Sequence, residues 1–208
     1  MLNRYARATA TRILTPVARL LLRLGISPDI VTIIGTLGVC LGALVFFPRG
    51  ELLVGVLVIT AFVFSDTVDG IMARQLGRSG TWGAFLDSTL DRMGDAAIFA
   101  GLAIWFFQGG DDRVMAWLAL ACLVLGSLVS YARARAEGLG MRADVGIAER
   151  ADRLVTALVT TGLVGLGLPE VVLKVVLALL AVASLVTVIQ RVLVVRRQAG
   201  AGSAAASP

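Results

Sequence analysis

Histidine is absent from this 208-residue chain. Acid–base or metal chemistry must therefore fall to carboxylates, whose oxygens favour hard cations such as Mg²⁺ or Mn²⁺ over zinc. Cysteine is almost as scarce: Cys40 and Cys122 are the only two, both lie inside apolar runs, and a disulfide framework is excluded in favour of reduced core thiols. Charged residues make up only 16% of the chain. The N-terminal stretch lacks the short apolar core and small-residue cleavage site of a secretory signal, and nothing in it suggests removal.

What abounds is apolar sequence. Hydrophobic residues make up 58% of the chain and the mean hydropathy is +0.89, far above a soluble domain, which identifies an integral membrane protein. A spanning helix needs roughly 20 apolar residues, so the length suits one domain of about six spans. The net charge of +5 and the pI near 10.2 match a cytoplasmic anionic membrane surface better than a nucleic acid, and nucleic-acid binding is not expected.

The fold class that follows is all-α, with six transmembrane helices preceded by an N-terminal interfacial amphipathic helix. Ile13, Val17, Leu20, Leu21 and Leu24 recur at helical spacing, with Arg12, Arg19 and Arg23 mostly on other faces, so residues 1–25 fit a helix lying in the headgroup plane. Gly25 ends it, and Ser27-Pro28 opens the first span as N-cap and first helical position. The six-helix bundle occupies 29–195. Its spans cover 29–47, then 52 through the acids to Arg74, then Trp82 or Gly83 to Phe107, 114–131, 154–166 and 171–195. The polar stretch from Ala132 to Arg153 separates spans four and five. The membrane domain thus takes in 1–197, and 198–208 reads as a disordered tail of small residues. Of the 19 basic residues, all but Arg49, Arg113 and Lys174 fall on the side holding both termini, which places that side in the cytoplasm of a multi-pass cell-membrane protein.

Against this apolar background stands Ser65 to Arg92, SDTVDGIMARQLGRSGTWGAFLDSTLDR. Asp66 and Asp69 lie three apart and Asp87 and Asp91 four apart, so each pair shares a helix face with Cβ atoms about 5–6 Å apart. A short loop makes the two helices antiparallel neighbours, and meeting faces would converge four carboxylates. A single Asp at a membrane helix centre costs about 2.5–3.5 kcal/mol, so such a cluster requires cations. Two Mg²⁺ or Mn²⁺ ions about 3.5–4 Å apart suit it, an arrangement that stabilises attacking and leaving oxygens in phosphoryl transfer. Gly70 leaves room for a nucleotide to approach; Gly83 does the same or allows close helix packing. Arg74, one turn beyond Gly70, is placed to bridge phosphate oxygens. The bland alternative makes the acids helix-to-helix hydrogen-bonding groups or salt-bridge partners of Arg74 and Arg92. It accounts readily for one acid but not for four at these spacings. Asp95 and Arg92 are read as structural.

The pattern Asp66-x2-Asp69-Gly70-x2-Ala73-Arg74-x8-Gly83-x3-Asp87-x3-Asp91 resembles, position for position, the signature of the CDP-alcohol phosphotransferases. That resemblance implies transfer of a phosphatidyl-type group from a CDP-linked lipid such as CDP-diacylglycerol to a hydroxyl, with release of CMP. It implies that Asp66, Asp69 and Asp87 bind metal, that Asp91 is the general base and a ligand of a second ion, and that Gly70 and Arg74 contact the CDP moiety. Asp29 and Thr32, in the Ser27-Pro28-Asp29 element, and Thr81 look like further nucleotide-side residues. A homodimer is also implied.

For the acceptor, Arg133, Arg135, Arg153 and Arg191 come from cytoplasmic ends of spans four to six, where topology alone also places arginines. The SYARARAE and AERADR segments are similar to those of the actinobacterial phosphatidylinositol-phosphate synthases in that family, whose acceptor is an inositol phosphate. Glycerol phosphate is the rival anionic acceptor. Outside the family, an intramembrane prenyltransferase would need two widely separated Asp motifs in a longer bundle, and a divalent-cation transporter would leave Gly70 and Arg74 without a role.

Overall fold

A computed structural model describes residues 2–77 and 80–205, with side chains described at 13–65, 67–77 and 80–200. Its helices are α1 (Leu2–Arg23), α2 (Pro28–Leu41, continued by a π turn at Gly42–Phe46 and a 3-10 turn at Phe47–Arg49), α3 (Leu52–Val63), α4 (Ser65–Gln75), α5 (Thr81–Gln108), α6 (Arg113–Glu137), α7 (Arg150–Gly165) and α8 (Glu170–Ala205). Among the described residues four stretches are long and apolar enough to cross a membrane: Pro28–Arg49, Leu52–Gln75, Arg113–Glu137 and Glu170–Gly200. The helix α5 has 28 residues and so reaches about 42 Å, but Asp87, Asp91, Arg92 and Asp95 interrupt its apolar surface. The 16 residues of α7 reach about 24 Å, short of a hydrocarbon core of about 30 Å.

In lipid, apolar side chains gain little by leaving their surroundings, so helices associate by close packing around small residues. The core shows this. Ala97, Ala103, Ala116, Ala119 and Ala157 are buried beside Phe47, Phe106, Met115, Leu173 and Leu177. The contact that matters most for the site lies between α2 and the α3–α4 pair. A Cβ on Gly35 would sit 1.7 Å from Ser65 Oγ, and one on Gly38 would sit 2.2 Å from the Phe62 ring. Glycine at these positions lets the end of α3 and the start of α4 come against α2.

Three boundaries differ from the expectations above. The second span is not one uninterrupted helix, because it breaks at Phe64, whose carbonyl accepts from both Thr67 N (3.1 Å) and Val68 N (3.3 Å). No Pro or Gly marks this break; tertiary packing at Ser65 and Gly35 accompanies it. The fourth helix passes Tyr131 and ends at Glu137, extended by the i,i+4 pair Arg133–Glu137 at 2.9 Å. Residues 198–205, expected as tail, continue α8. Alanine has the best helix propensity, and Gln198 adds a tertiary tie by accepting from Arg142 N (3.0 Å) and donating to Arg142 O (2.6 Å). Residues 206–208 lie outside the described residues.

The N-terminal helix packs on α4. Ala18 is fully buried there against Val68, Ile71 and Met72, with Leu14, Leu21 and Leu22 around them. Ile13, Val17, Leu20 and Leu24, on the stripe noted in the sequence, remain exposed.

Candidate functional site

The first carboxylate pair begins where α4 meets α2. Ser27 caps α2, its Oγ accepting from Ile30 N at 3.4 Å. One turn into that helix the Thr32 hydroxyl donates to Asp69 Oδ2 at 2.5 Å and also lies 3.1 Å from Pro28 O. Asp69 is only 7% exposed. Asp87 and Asp91 of α5 are near enough for their charges to bear on it. Asp66 lies on α4, but its side chain is outside the described residues, as are Arg78 and Ser79.

A cleft of about 710 Å³ opens over this pair. Asp29, Thr32, Asp69, Gly70, Gly83 and Asp87 are among its walls, so most of the nucleotide-side residues expected from the sequence come together there. The Asp29 carboxylate accepts from Trp82 Nε1 at 3.0 Å across the mouth. Among the described residues no atom lies within 4 Å of a hypothetical Cβ on Gly83, so packing between the described helices does not require glycine there. At Gly70 the nearest atom to such a Cβ is Arg74 Nη1, at 3.5 Å, so the arginine folds back over the glycine as its one-turn spacing predicts. Thr81, the first residue of α5, does not line the cleft.

The donor set suits a hard divalent cation. A nearly buried carboxylate facing two like charges requires a counter-charge, and among the described residues no lysine or arginine forms an ion pair with Asp69 or Asp87. Among those residues no three carboxylates are gathered tightly enough to enclose an ion. The expected convergence of four therefore extends to a side chain, Asp66, that is not described.

Further along α5 the acids have partners. Arg150 Nη1 lies 2.8 Å from Asp91 Oδ2, and Arg92 Nη2 lies 3.6 Å from the same oxygen. Asp95 takes the hydrogen-bonding role read for it, accepting from Arg150 Nε (3.0 and 3.1 Å) and Nη2 (2.9 Å). The sequence pointed to Arg74 and Arg92 as salt-bridge partners and missed Arg150. An available signal was an arginine at the first turn of a helix that follows a polar connection, opposite two acids at i,i+4.

The four acceptor arginines do not share one open pocket. Arg153 is 2% exposed and donates to Ala148 O (2.9 Å) and Gly126 O (3.4 Å). Arg191 is 5% exposed and donates to Val145 O (2.9 Å) and Val129 O (2.5 Å). Arg133 is exposed and paired with Glu137, and Arg135 is exposed. Yet Arg153 lies within electrostatic reach of Arg92, Arg150 and Arg191, and Arg191 within reach of Arg133. These like charges share one neighbourhood with the acids Asp95, Glu137, Asp144 and Glu149.

The sequence profile of the CDP-alcohol phosphatidyltransferases matches residues 25–187, which contain every element of the cleft. The chain belongs to this family. Among its relatives, the phosphatidylinositol phosphate synthase of Streptomyces avermitilis is 56% identical over 211 residues, covering 99% of this chain and 86% of the relative. That of Cutibacterium acnes is 50% identical over 202 residues, covering 93% and 97%. The crystal structure of Mycobacterium tuberculosis phosphatidylinositol phosphate synthase with CDP-DAG bound superposes with a TM-score of 0.85 at 44% identity, covering 88% of this chain and 94% of that one. The same protein in complex with manganese and citrate gives 0.84 at 44% identity, covering 88% of each chain. This phosphatidyltransferase is thus an enzyme of phospholipid synthesis with an all-helical membrane fold.

Proposed function

We propose that the enzyme transfers the phosphatidyl group of CDP-diacylglycerol to a hydroxyl of an inositol phosphate and releases CMP. The observation that carries this is the glycine-walled cleft floored by the Thr32–Asp69 hydrogen bond, with Asp87 on its wall and Asp91 one turn further along α5. The relatives named above are phosphatidylinositol phosphate synthases by name, and one of the similar structures holds CDP-DAG, which supports this donor and this product.

Asp66, Asp69, Asp87 and Asp91 would hold two Mg²⁺ or Mn²⁺ ions, which when bound neutralise diphosphate charge and stabilise entering and leaving oxygens. Thr32 fixes one oxygen of Asp69. Gly70 and Gly83 leave room for the CDP group, Asp29 and Thr32 contact its nucleoside side, and Arg74 neutralises phosphate charge. Asp91 accepts the proton of the acceptor hydroxyl. That oxygen attacks the β-phosphorus in line, a new phosphorus–oxygen bond forms, and the bond to CMP breaks, the electron pair leaving with CMP. Arg133, Arg135, Arg153 and Arg191 supply positive potential for the acceptor's phosphate. An anionic acceptor fits the nearness of Arg133, Arg153 and Arg191, which an apolar or neutral alcohol would not use. The bundle crosses the membrane six times, with α1 in the headgroup plane, and the chain pairs as a homodimer; both termini and the cleft face the cytoplasm, an orientation that the distribution of basic residues supports.

The test is CMP release by the purified enzyme given CDP-diacylglycerol and, in separate reactions, an inositol phosphate, glycerol 3-phosphate or free inositol. Release is expected with the inositol phosphate, lost with EDTA and restored by Mg²⁺ or Mn²⁺. Preference for glycerol phosphate would replace the acceptor, and divalent-ion flux into vesicles without CMP release would replace the reaction. Asp91→Asn is expected to lower kcat by about 10²–10⁴-fold.

A further inference from the structure

Arg150 opens α7, and its guanidinium reaches two acids of α5 together. Nε and Nη2 hold the Asp95 carboxylate at 2.9–3.1 Å, while Nη1 lies 2.8 Å from Asp91 Oδ2. Asp91 and Asp95 are four apart on α5, hence on one face, and a planar fork of donors matches that geometry as a lysine ammonium does not. The side chains are 32% (Arg150), 18% (Asp91) and 15% (Asp95) exposed, so this is not a solvated surface bridge of negligible worth.

The guanidinium is also tied to a distant element. Arg150 follows the connection 138–149, which α8 pins at three places. Thr187 Oγ1 accepts from Ile147 N (3.2 Å) and Ala148 N (3.1 Å), Arg191 donates to Val145 O, and Gln198 brackets the Arg142 backbone. Arg153, one turn into α7, holds the carbonyl of Ala148. Where that connection sits decides where Arg150 sits.

We propose that Arg150 is a positioning residue for the reaction: clamped on Asp95, it sets the plane of the Asp91 carboxylate and carries the seating of the 138–149 connection to the base. This rests on Asp91 being the base. Two elements contribute opposite halves of the arrangement. The helix α5 supplies the acids, and α7 supplies a group that spans both. Asp95 acts through Arg150 and touches no reacting atom.

Steady-state CMP release by the full-length enzyme tests this with Arg150→Gln, Arg150→Lys, Arg150→Ala, Asp95→Asn, the double variant Arg150→Gln/Asp95→Asn, and Asp91→Asn. Misplacing a reacting group by about 1 Å costs about 100-fold, so Arg150→Gln is expected to lower kcat by about that factor. The KM for CDP-diacylglycerol should stay within about twofold, the signature of an interaction used at the transition state. Arg150→Lys should fail to restore kcat, free guanidinium ion should raise the kcat of Arg150→Ala, and the double variant should be no slower than Arg150→Gln alone, as for groups acting as one unit. If Arg150→Gln does not fold, Asp95→Asn still reads the clamp, with an expected loss in kcat of about tenfold. The proposal is overturned if Arg150→Gln keeps or raises kcat, if only KM changes, or if the two losses multiply. An inactive Asp91→Asn beside a fully active Arg150→Gln overturns the clamp and leaves the base in place; a fully active Asp91→Asn removes the base itself.

Discussion

The two ends of the catalytic region are built in opposite ways. On the proposed donor side, at α2, α4 and the start of α5, the functional groups line open space: no described residue crowds the Cβ position of Gly83, Asp87 is exposed, and Asp69 is held by the Thr32 hydroxyl and the Gly70 backbone. On the acceptor side, at α6, α7 and α8, Arg153 and Arg191 are buried with their donors on backbone carbonyls. A side chain facing a cleft can be changed with little effect on folding, whereas one that satisfies buried carbonyls cannot. Loss of activity therefore carries different information at the two ends, and stability must be measured beside it on the acceptor side.

The largest effect is expected at Asp69. Asp69→Asn should cut kcat/KM by about 10³-fold, about 4 kcal/mol at the transition state, with thermal stability in detergent nearly unchanged. A loss matched by unfolding would break the contrast, because it would make the donor side structural as well. Next comes Arg191. Arg191→Ala leaves the carbonyls of Val129 and Val145 without this donor, and should cost about 2–3 kcal/mol of stability. Its exposed counterpart Arg133→Ala should cost less than about 1 kcal/mol, so equal melting temperatures for the two would refute the burial argument. Gly83→Ala is a cleaner probe of the donor side. It adds a methyl where nothing stands in the way, favours the helix by up to about 1 kcal/mol, and should still raise the KM for CDP-diacylglycerol about tenfold. An unchanged KM would remove Gly83 from the nucleotide site.

The smallest effect lies at the far end of the bundle, where Asp112 caps α6 through Met115 N at 3.1 Å and pairs with Lys174 of α8. The Lys174 hydrogen bond, then that of Met115 N, holds the Asp112 carboxyl below its ordinary value. A group with a depressed folded pKa contributes its stability above the unfolded pKa and loses it as pH falls through the folded one. The melting temperature should therefore decline slightly on acidification below about pH 4, the ordinary carboxylate pKa. Asp112→Asn should flatten that small decline and leave CMP release unchanged.

The legible and the hidden parts divide along the same line. Helix existence was legible because apolar runs of membrane length have few alternatives, and Gly25, Ser27-Pro28 and the polar stretch from Ala132 to Arg153 punctuate them. Asp69, Asp87, Gly70 and Gly83 were legible because ligand chemistry demands residue types at helical spacing, and spacing is visible in one dimension. The break at Phe64 carried no signal, since no breaker residue makes it. Asp29 and Thr32 entered through a short N-terminal likeness, and only packing through Gly35 and Gly38 explains why Thr32 reaches Asp69. The arginines Arg153 and Arg191 were visible as charges near helix ends, but their carbonyl partners were not.

By itself the sequence determined the solvent, the helices, the carboxylate and glycine spacing, and with them the class of reaction, because hydropathy and i,i+4 periodicity are local properties of the chain. Tertiary structure alone decided which groups meet across elements. It seated Thr32 on Asp69, left Gly83 open to the cleft, turned Arg153 and Arg191 inward to carbonyls, and brought Arg150 onto Asp91 and Asp95, 59 and 55 residues away along the chain. Such contacts depend on helix crossing and close approach of backbones, which no window of sequence encodes.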